Sequence, residues 1–339
     1  HRRMTNRRDG LERALHDAWY GSARWTYLFL PLLPFVAVFV GLKRIFRPRS
    51  KFAVLGAPVI VVGGLTAGGT GKTPTLIAIA RYLSGRGFKV GVVSRGYGRE
   101  PGQSALLIQS DHTAEKAGDE PLLIKRSVEK AAVIVGNSRR DAATSLCREQ
   151  GVSVILSDDG LQHYALPRDF EIAVLDAERG VGNGRLMPVG PLREPTSRLR
   201  SVDFVLERNG SDPMRSLTYR SRRLLSLNSS LYIEVEEALK EWRGKKVVAA
   251  TGLGQPAQFF KTLHDLKIEC ETVSVADHSK LDLALIQREY EPDIIVVTAK
   301  DAVKLEQEPC DNVWVLEIEA ILPDSLYSAI EQRLAQVAN

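Results

Sequence analysis

The hydrophobic pattern of the chain changes near residue 51, where short runs of Val, Ile and Leu begin to alternate with amphipathic segments. We expect strands at 58–63, 89–94, 131–135, 152–157 and 172–175. Helices are predicted at 73–86 and at about 138–149. Nearly continuous apolar strands separated by helices are typical of a parallel sheet covered on both faces. The pattern therefore predicts an α/β domain.

A second α/β pattern follows a more polar stretch. Further strands are expected at 203–207, 217–222, 246–250, 294–298 and 313–318, and further helices at 258–265 and 323–335. We therefore divide this part of the chain into a larger domain at 51–215, a linker at 216–245 and a smaller α/β domain at 246–339. Ligands often bind in a cleft between two such domains, so the smaller one is expected to close an active-site cleft.

An uncharged apolar stretch at 25–42 precedes both domains and has basic residues on each side. A helix that spans a bilayer needs about 20 apolar residues. This stretch is slightly shorter and contains Pro31 and Pro34, which disfavour a helix interior. Two basic flanks fit a segment that lies in one leaflet, with its cations on anionic headgroups. We predict membrane association over 4–50, with a spanning helix and a buried core helix as alternatives.

The composition is that of an ordinary folded protein, with 44% hydrophobic and 26% charged residues. The 46 basic and 41 acidic residues leave a net charge of +5, an excess too small to indicate a nucleic-acid partner. The 3 cysteines are scattered and have neither metal-ligand nor redox spacing. Such cysteines favour a reducing cytosolic setting.

A glycine-rich turn, "TAGGTGKT", joins the first strand of the larger domain to the helix that follows. Glycines let backbone N–H groups wrap around an anion, and the helix N-terminus adds its dipole. Lys72 can reach the β- and γ-phosphates, and the Thr73 hydroxyl can bind Mg²⁺. The usual pattern has glycine where this chain has Thr66, but that position only begins the loop. We predict ATP binding through Thr66, Ala67, Gly68, Gly69, Thr70, Gly71, Lys72 and Thr73.

Two adjacent carboxylates, Asp158 and Asp159, follow the apolar strand at 152–157. Ligands of open α/β sheets bind at the carboxyl ends of strands, and an aspartate there commonly holds the Mg²⁺ of a P-loop protein. A solvated strand-end turn is the alternative. Beside the glycine-rich turn, we favour a magnesium site.

Six short motifs join the glycine-rich turn in a fixed order: "SRGYGR" (94–99), "GDEP" (118–121), "DDGLQH" (158–163), "PLREP" (191–195), "ADH" (276–278) and "TAKDAVKL" (298–305). With the apolar N-terminus, they make nearly the whole chain resemble the tetraacyldisaccharide 4'-kinase family of the P-loop NTPase superfamily. The resemblance implies transfer of the ATP γ-phosphate to the 4'-hydroxyl of tetraacyldisaccharide 1-phosphate, forming the lipid IVA precursor of lipid A. It also implies that the protein acts at the cytoplasmic face of the Gram-negative inner membrane, either as a peripheral protein or with a single N-terminal anchor. No obligate protein partner is inferred.

The resemblance also assigns two catalytic residues. It makes Asp119 of the GDEP motif the base that accepts the proton of the sugar hydroxyl, and His278 of the ADH motif the residue that orients it. A helix N-cap is the alternative for Asp119, and a surface turn residue is the alternative for His278. In this chain Ser279 and Lys280 follow His278, where the family often has an aromatic or basic residue.

The remaining candidates concern the metal and the substrate. Glu120 joins Thr73, Asp158 and Asp159 as a possible Mg²⁺ ligand, directly or through water. Sugar or phosphate contacts are expected from Arg95, Tyr97, His163 and Arg193, with surface salt bridges or, for His163, a packed structural role as alternatives. Lys300 and Asp301 fit either the nucleotide side of the cleft or the start of a helix.

Two other classes of protein compete with a lipid kinase. A P-loop ATPase switch couples hydrolysis to partner binding and often has lysine just before the paired glycines, where this chain has Ala67. A kinase for a soluble small molecule would not need the apolar N-terminus. Both features favour the lipid kinase.

Overall fold

A computed structural model describes residues 2–3, 7–45, 55–96, 105–229, 231–276, 279–305 and 310–338. The chain forms two compact units. The larger unit contains Glu12–Thr218 and Ala320–Asn339, and the inserted unit contains His1–Leu11 and Tyr219–Glu319. The α/β class predicted from the sequence is confirmed.

The strands, in chain order, are β1 (Arg2–Arg3), β2 (Val59–Gly63), β3 (Val90–Ser94), β4 (Leu106–Leu107), β5 (Ala132–Val135), β6 (Val154–Asp158), β7 (Phe170–Asp176), β8 (Phe204–Arg208), β9 (Ser216–Arg220), β10 (Arg223–Ser226), β11 (Tyr232–Glu234), β12 (Val247–Thr251), β13 (Glu271–Ser274), β14 (Ile294–Thr298), β15 (Val313–Leu316) and β16 (Glu319–Ile321). The α-helices are α1 (Arg7–Tyr20), α2 (Leu33–Ile45), α3 (Lys72–Gly85), α4 (Ala114–Ala117), α5 (Asp119–Ser127), α6 (Arg139–Gln150), α7 (Val235–Glu241), α8 (Pro256–Asp265), α9 (Leu283–Tyr290), α10 (Ala299–Leu305) and α11 (Asp324–Ala338). Within the described residues, 3₁₀ helices cover Trp25–Leu32 and Thr196–Ser201.

The sheet of the larger unit has the strand order β16-β9-β8-β7-β2-β6-β3-β5-β4. Its pairs from β8 to β5 are parallel, and β4 is an antiparallel edge strand. Every residue of β2, β3, β6 and β7 is buried, because helices cover both faces of a parallel sheet. The glycine-rich turn and the two strand-end aspartates therefore follow neighbouring central strands, at the same edge of the sheet.

The inserted unit has a second sheet with the order β1-β13-β12-β14-β15-β10-β11. The pairs among β13, β12, β14 and β15 are parallel, whereas β10 and β11 pair in antiparallel fashion. One buried apolar cluster includes Val247 and Phe259, and another includes Val248 and Ile286. Adjacent residues of β12 thus contribute to different clusters, as the side-chain alternation of a strand requires.

Two segments differ from the predicted domain boundaries. The stretch predicted as a linker at 216–245 carries β10, β11 and α7, which belong to the inserted unit from Tyr219 onward. Helix α11, predicted as part of the smaller domain, belongs to the larger unit, where the Tyr327 ring stacks on Tyr82 at 4.1 Å between centroids. An amphipathic pattern predicts a helix but does not show which sheet that helix covers.

The apolar N-terminal stretch is helical and exposed. Trp25–Lys43 is long and apolar enough to cross a membrane, and it is the only such helix among the described residues. Only 6% of this stretch is buried, and Leu28 and Phe35 are 81% and 75% exposed. Pro31 lies inside the 3₁₀ helix, and Pro34 is the second residue of α2, where its missing N–H breaks no hydrogen bond. The alternative of a buried core helix is therefore excluded.

Candidate active site

The glycine-rich turn lies between β2 and α3, at the centre of the larger sheet. Gly68 and Gly71 have φ angles of 108° and 95°, in the left-handed region that favours glycine. Gly71 is also the N-cap residue of α3. The Lys72 ammonium folds over the turn and donates to the Gly68 carbonyl at 3.2 Å. The turn therefore combines glycines in left-handed conformations, a helix N-terminus and a lysine, as a phosphate-binding loop requires.

Thr66 occupies a paired position of the backbone. It is buried and forms an isolated antiparallel bridge with Leu192. The neighbouring Ala67 N–H donates to the Pro191 carbonyl at 2.9 Å. A β-branched residue suits extended, paired backbone. Backbone pairing of this segment with residues 191 and 192 therefore explains why threonine, and not glycine, fits at position 66.

The two strand-end carboxylates have different environments. Asp158 is the last residue of β6, is 2% exposed and accepts a hydrogen bond from the Ser94 hydroxyl at 3.2 Å. Asp159 turns the chain away from the sheet with a left-handed φ of 44°. Its carboxylate accepts from Arg193 Nη1 at 2.7 Å and lies 3.9 Å from Lys72 Nζ. Asp159 thus joins the glycine-rich turn to the PLREP motif.

These environments separate the pKa values of the two carboxyls. Burial, with the nearby charges of Glu120 and Asp159, raises the pKa of Asp158 to about 7. Burial also raises the pKa of Asp159, but Lys72 and Arg193 outweigh it and the net shift is downward. A site that raises the pKa of one carboxyl in this way favours a cation, because added positive charge stabilises the ionised form.

Buried oxygen atoms test whether a magnesium nucleotide fits this site. Among the described residues, Thr70 Oγ1, Asp158 Oδ1 and Asp159 Oδ1 are buried without a hydrogen-bond partner. Native proteins rarely leave such atoms unsatisfied, so they indicate a ligand. The described residues contain no group of three His, Cys, Asp or Glu side chains that could hold a metal by themselves. Mg²⁺ commonly binds one or two carboxylates together with substrate phosphates, and these residues fit that arrangement.

Asp119 begins helix α5. The N-cap of this helix is Gly118, with φ 87°, so Asp119 is its first helical residue and not the cap. The Asp119 side chain is 5% exposed, and its Oδ1 accepts from the Glu120 N–H at 2.9 Å. Glu120 lies near enough to Asp158 to raise the pKa of that carboxyl. The GDEP motif therefore adds a buried carboxylate and a second acidic residue to the environment of Asp158.

His163 closes the short turn after the strand-end aspartates. Its backbone N–H donates to the Gly160 carbonyl at 2.9 Å. Burial and then Arg139, Arg168, Arg95 and Lys43 lower the pKa of His163 to about 4. The imidazole is therefore neutral near pH 7, where it can share hydrogen bonds but carries no charge.

Comparison with known proteins identifies the family. A family model described as tetraacyldisaccharide-1-P 4'-kinase (LpxK) matches residues 25–335. The tetraacyldisaccharide 4'-kinase of Dechloromonas aromatica is 39% identical, over 96% of this chain and 98% of its own. The one of Hahella chejuensis is 35% identical, over 94% and 96%. The chain belongs to the tetraacyldisaccharide-1-P 4'-kinase family.

A solved structure of this kinase family has the same fold. The crystal structure of LpxK from Aquifex aeolicus in complex with ATP is similar to this chain with a TM-score of 0.73 and 25% sequence identity. The match covers 91% of this chain and 99% of that one. The family resemblance found in the sequence motifs is therefore confirmed.

The structure locates some of the predicted substrate residues of this kinase-family chain. Arg95 is exposed just after β3. Arg193 donates to Asp159 and also lies 3.4 Å from Gln162 Oε1. Tyr97 and His278 lie outside the described residues. The Arg193 guanidinium therefore lies beside the strand-end carboxylate of Asp159.

Asp301 of the TAKDAVKL motif supports the start of helix α10. It is 1% exposed and accepts hydrogen bonds from the hydroxyls of Thr251 and Thr298 at 2.7 and 2.6 Å. It also accepts from the Gly252 N–H at 3.0 Å. These contacts favour the helix-start alternative over a nucleotide contact.

Sequence reasoning missed three polar residues of the site. Arg139, 6% exposed, donates from Nη1 to the Asp159 carbonyl at 3.0 Å. Gln162 donates to the Gly64 carbonyl and to Glu194 Oε2, both at 3.1 Å. Gln162 and Glu194 stand inside motifs that the sequence analysis quoted, so these motifs could have suggested them. Arg139 lies outside all of the quoted motifs, and only the strand order of the sheet shows that it is close to Asp159.

Proposed function

We propose that the chain is an ATP-dependent kinase that phosphorylates the 4'-hydroxyl of tetraacyldisaccharide 1-phosphate, forming the lipid IVA precursor of lipid A. The observation that carries this proposal is a phosphate-binding turn beside buried carboxylates with unsatisfied oxygens, in a chain that belongs to this kinase family. Phosphoryl transfer depends mainly on positioning and on neutralising charge, which this combination can supply.

The nucleotide phosphates are assigned to the backbone of residues 66–73 and to Lys72. Thr73, Asp158 and Asp159, with Glu120 directly or through water, would hold Mg²⁺, which would neutralise phosphate charge. Unsatisfied Oδ1 atoms on both aspartates support this assignment. Ser94, which donates to Asp158 Oδ2, would orient the other carboxylate oxygen toward the metal.

Asp119 is assigned as the base that accepts the proton of the attacking sugar hydroxyl. Its burial, and its place next to Glu120, support this role. His278 keeps the orienting role that the family resemblance implies. Arg95, Tyr97, His163 and Arg193 are assigned to the substrate; a neutral His163 would act by hydrogen bonding, and the Arg193 guanidinium has donors beyond the Nη1 that contacts Asp159.

The exposed apolar surface of the N-terminal segment is assigned to the membrane. It includes Leu28, Leu32, Phe35, Val38, Phe39 and Leu42, all exposed. Soluble proteins rarely expose so many large apolar residues together. We place the protein at the cytoplasmic face of the inner membrane, as a peripheral protein or with a single N-terminal anchor, without a nucleic-acid or obligate protein partner.

A transfer assay tests the function. The protein is incubated with γ-labelled ATP, Mg²⁺ and detergent-dispersed tetraacyldisaccharide 1-phosphate, and label is expected in the lipid. Label released only as inorganic phosphate, with hydrolysis stimulated by a protein partner, would instead identify a switch ATPase.

Variants of the GDEP region test the base. Asp119→Asn should lower turnover by about 10²-fold or more, because an amide cannot accept the proton, and should leave ATP affinity unchanged. Asp111→Asn, at an exposed aspartate in the preceding turn, is the matched control and should behave as the unaltered protein. Equal turnover in the two variants would remove Asp119 from the base role.

Vesicle sedimentation tests the membrane assignment. Replacing Phe35 and Phe39 with Ser should weaken partitioning onto phosphatidylethanolamine–phosphatidylglycerol vesicles by about tenfold or more, since each removes a large apolar side chain from the lipid. Leu231→Ser, at a residue 67% exposed in the inserted unit, is the control. If both proteins sediment alike, another surface carries the attachment.

A further inference from the structure

The N-terminal segment, residues 7–45, contacts a loop of which the assigned chemistry uses only the last residue, Arg193. This loop, residues 179–193, is called here the linking loop. The Trp19 indole donates to the Pro188 carbonyl at 3.1 Å, and the Thr26 hydroxyl donates to the Val189 carbonyl at 2.9 Å. The Asn183 N–H donates to the Trp19 carbonyl at 2.9 Å. Both side chains and backbone therefore attach the segment to this loop.

The other end of the linking loop is paired with the glycine-rich turn. The Arg193 N–H donates to the Leu65 carbonyl at 2.8 Å, and the Ala67 N–H donates to the Pro191 carbonyl at 2.9 Å. Between these bonds lies the bridge of Thr66 with Leu192. Positions 65–67, where the chain enters the phosphate-binding turn, thus form a short antiparallel ladder with positions 191–193.

The N-terminal segment also approaches the phosphate-binding turn without the linking loop between them. The Tyr20 phenol lies near the Thr66 side chain, and the Arg179 guanidinium lies 5.5 Å from the centre of the Tyr20 ring. The N-terminal segment therefore reaches the first residue of the predicted ATP-binding turn both directly and through the linking loop.

Thr26 shows that these contacts serve more than membrane binding. It is 0% exposed and is the only buried residue of the 3₁₀ helix Trp25–Leu32, whose other residues are mostly exposed and apolar. A hydroxyl adds nothing to insertion in lipid. Its burial is explained by the hydrogen bond to the linking loop.

We infer that the N-terminal segment is also a positioning element of the nucleotide site, in which Trp19, Tyr20 and Thr26 hold the linking loop against the phosphate-binding turn. Glycine-rich backbone has much conformational freedom to lose, so a neighbour that fixes residues 65–67 lowers the cost of ordering the turn around phosphates. The inference rests on the proposed function only in that the turn binds ATP, and it does not depend on the acceptor. Arg193, at the end of the same ladder, extends the effect to Asp159.

Substitutions that remove single hydrogen bonds test the inference on the full chain in detergent. Trp19→Phe and Thr26→Val should each weaken binding of ATP and Mg²⁺, measured by titration calorimetry without lipid, by about fivefold, the effect of one lost hydrogen bond. Tyr20→Phe, which removes the hydroxyl beside Thr66, should weaken binding in the same direction. Trp25→Phe is the matched control, because its indole donates to Ala14 within the N-terminal segment at 3.2 Å and not to the linking loop. Thr26→Ser, which keeps the hydroxyl, should restore the affinity.

Two further measurements separate positioning from general destabilisation. Amide hydrogen exchange at Ala67 and Arg193 should be faster in Thr26→Val than in Thr26→Ser. Where transfer activity is present, the KM for ATP should rise while the KM for the lipid matches that of Trp25→Phe. ATP affinities equal to the control in all three variants would overturn the inference, and so would a loss of affinity in Trp25→Phe as large as in Trp19→Phe. Absence of lipid phosphorylation with these ATP effects intact would contradict only the proposed function.

Discussion

Asp158 in the larger unit and Asp301 in the inserted unit are almost equally buried, at 2% and 1% exposed. Asp158 ends strand β6, and Asp301 lies in the first turn of the helix after β14. Asp301 accepts from two hydroxyls and one N–H, so both of its oxygens are satisfied. Asp158 accepts from Ser94 on one oxygen, and its other oxygen has no hydrogen-bond partner among the described residues.

These two carboxylates differ in whether their oxygens have hydrogen-bond partners, and not in how deeply they are buried. A buried carboxylate whose two oxygens both accept hydrogen bonds stabilises the surrounding fold, whereas one with an unsatisfied oxygen carries a desolvation cost that a bound ligand can offset. The raised pKa of Asp158, caused by burial and the nearby charge of Glu120, has the same meaning. Burial alone would have ranked the two residues as equals.

The strongest test of this contrast is Asp158→Asn. We expect kinase turnover at fixed Mg²⁺ to fall by about 10²-fold, because an amide is a poor ligand for Mg²⁺. The melting temperature of the ligand-free protein should stay the same or rise, since the substitution removes a charge that burial disfavours. Near-normal turnover would show that the unsatisfied oxygen does not serve the metal.

A smaller and opposite effect is expected from Asp301→Asn. The amide nitrogen cannot accept a hydrogen bond, so one buried donor is left unsatisfied and unfolding should become easier by about 1–3 kcal/mol. Urea unfolding followed by circular dichroism measures this change. Asp282→Asn is the control in the same unit, because Asp282 caps α9 through the Leu285 N–H and asparagine caps as well. A stable Asp301→Asn protein with lost turnover would reverse the assignment of the two aspartates.

The smallest effect concerns His163. Burial and nearby cations lower the pKa of its imidazole to about 4. An unfolded histidine has a pKa near 6.5, so on acidification the unfolded chain takes up this proton first. The contribution of neutral His163 to the free energy of unfolding is therefore complete above about pH 6.5 and is lost as the pH falls toward 4. His163→Gln should lose less stability than the unaltered protein between pH 7 and 5, measured by urea unfolding. His264→Gln, at an exposed histidine, should match the unaltered protein; equal pH slopes in all three would contradict the shift.

Local patterns were sufficient for the elements and for part of the site. The glycine spacing before Lys72 predicted the phosphate-binding turn, because strand, turn and helix are consecutive in the chain. The acidic pair after the 152–157 strand was located by the rule that ligands bind at strand ends. Both features depend on neighbours in sequence.

Other features depend on neighbours in space. Arg139 reaches Asp159 only because β5 and β6 lie on either side of β3, an order that the sequence pattern does not reveal. Thr66 could not be explained before its pairing with Leu192 was known. For the same reason, the sequence identified α11 as a helix but did not show that it packs in the larger unit.

The return of the chain to the larger unit at Ala320 has a consequence for protein synthesis. Helix α11 leaves the ribosome only after the whole inserted unit has emerged, and its Tyr327 is needed to cover Tyr82. Chains are made at about 5–20 residues per second, and domains fold as units as they emerge. The inserted unit can therefore complete its fold first, while the nascent larger unit waits with part of its apolar surface uncovered.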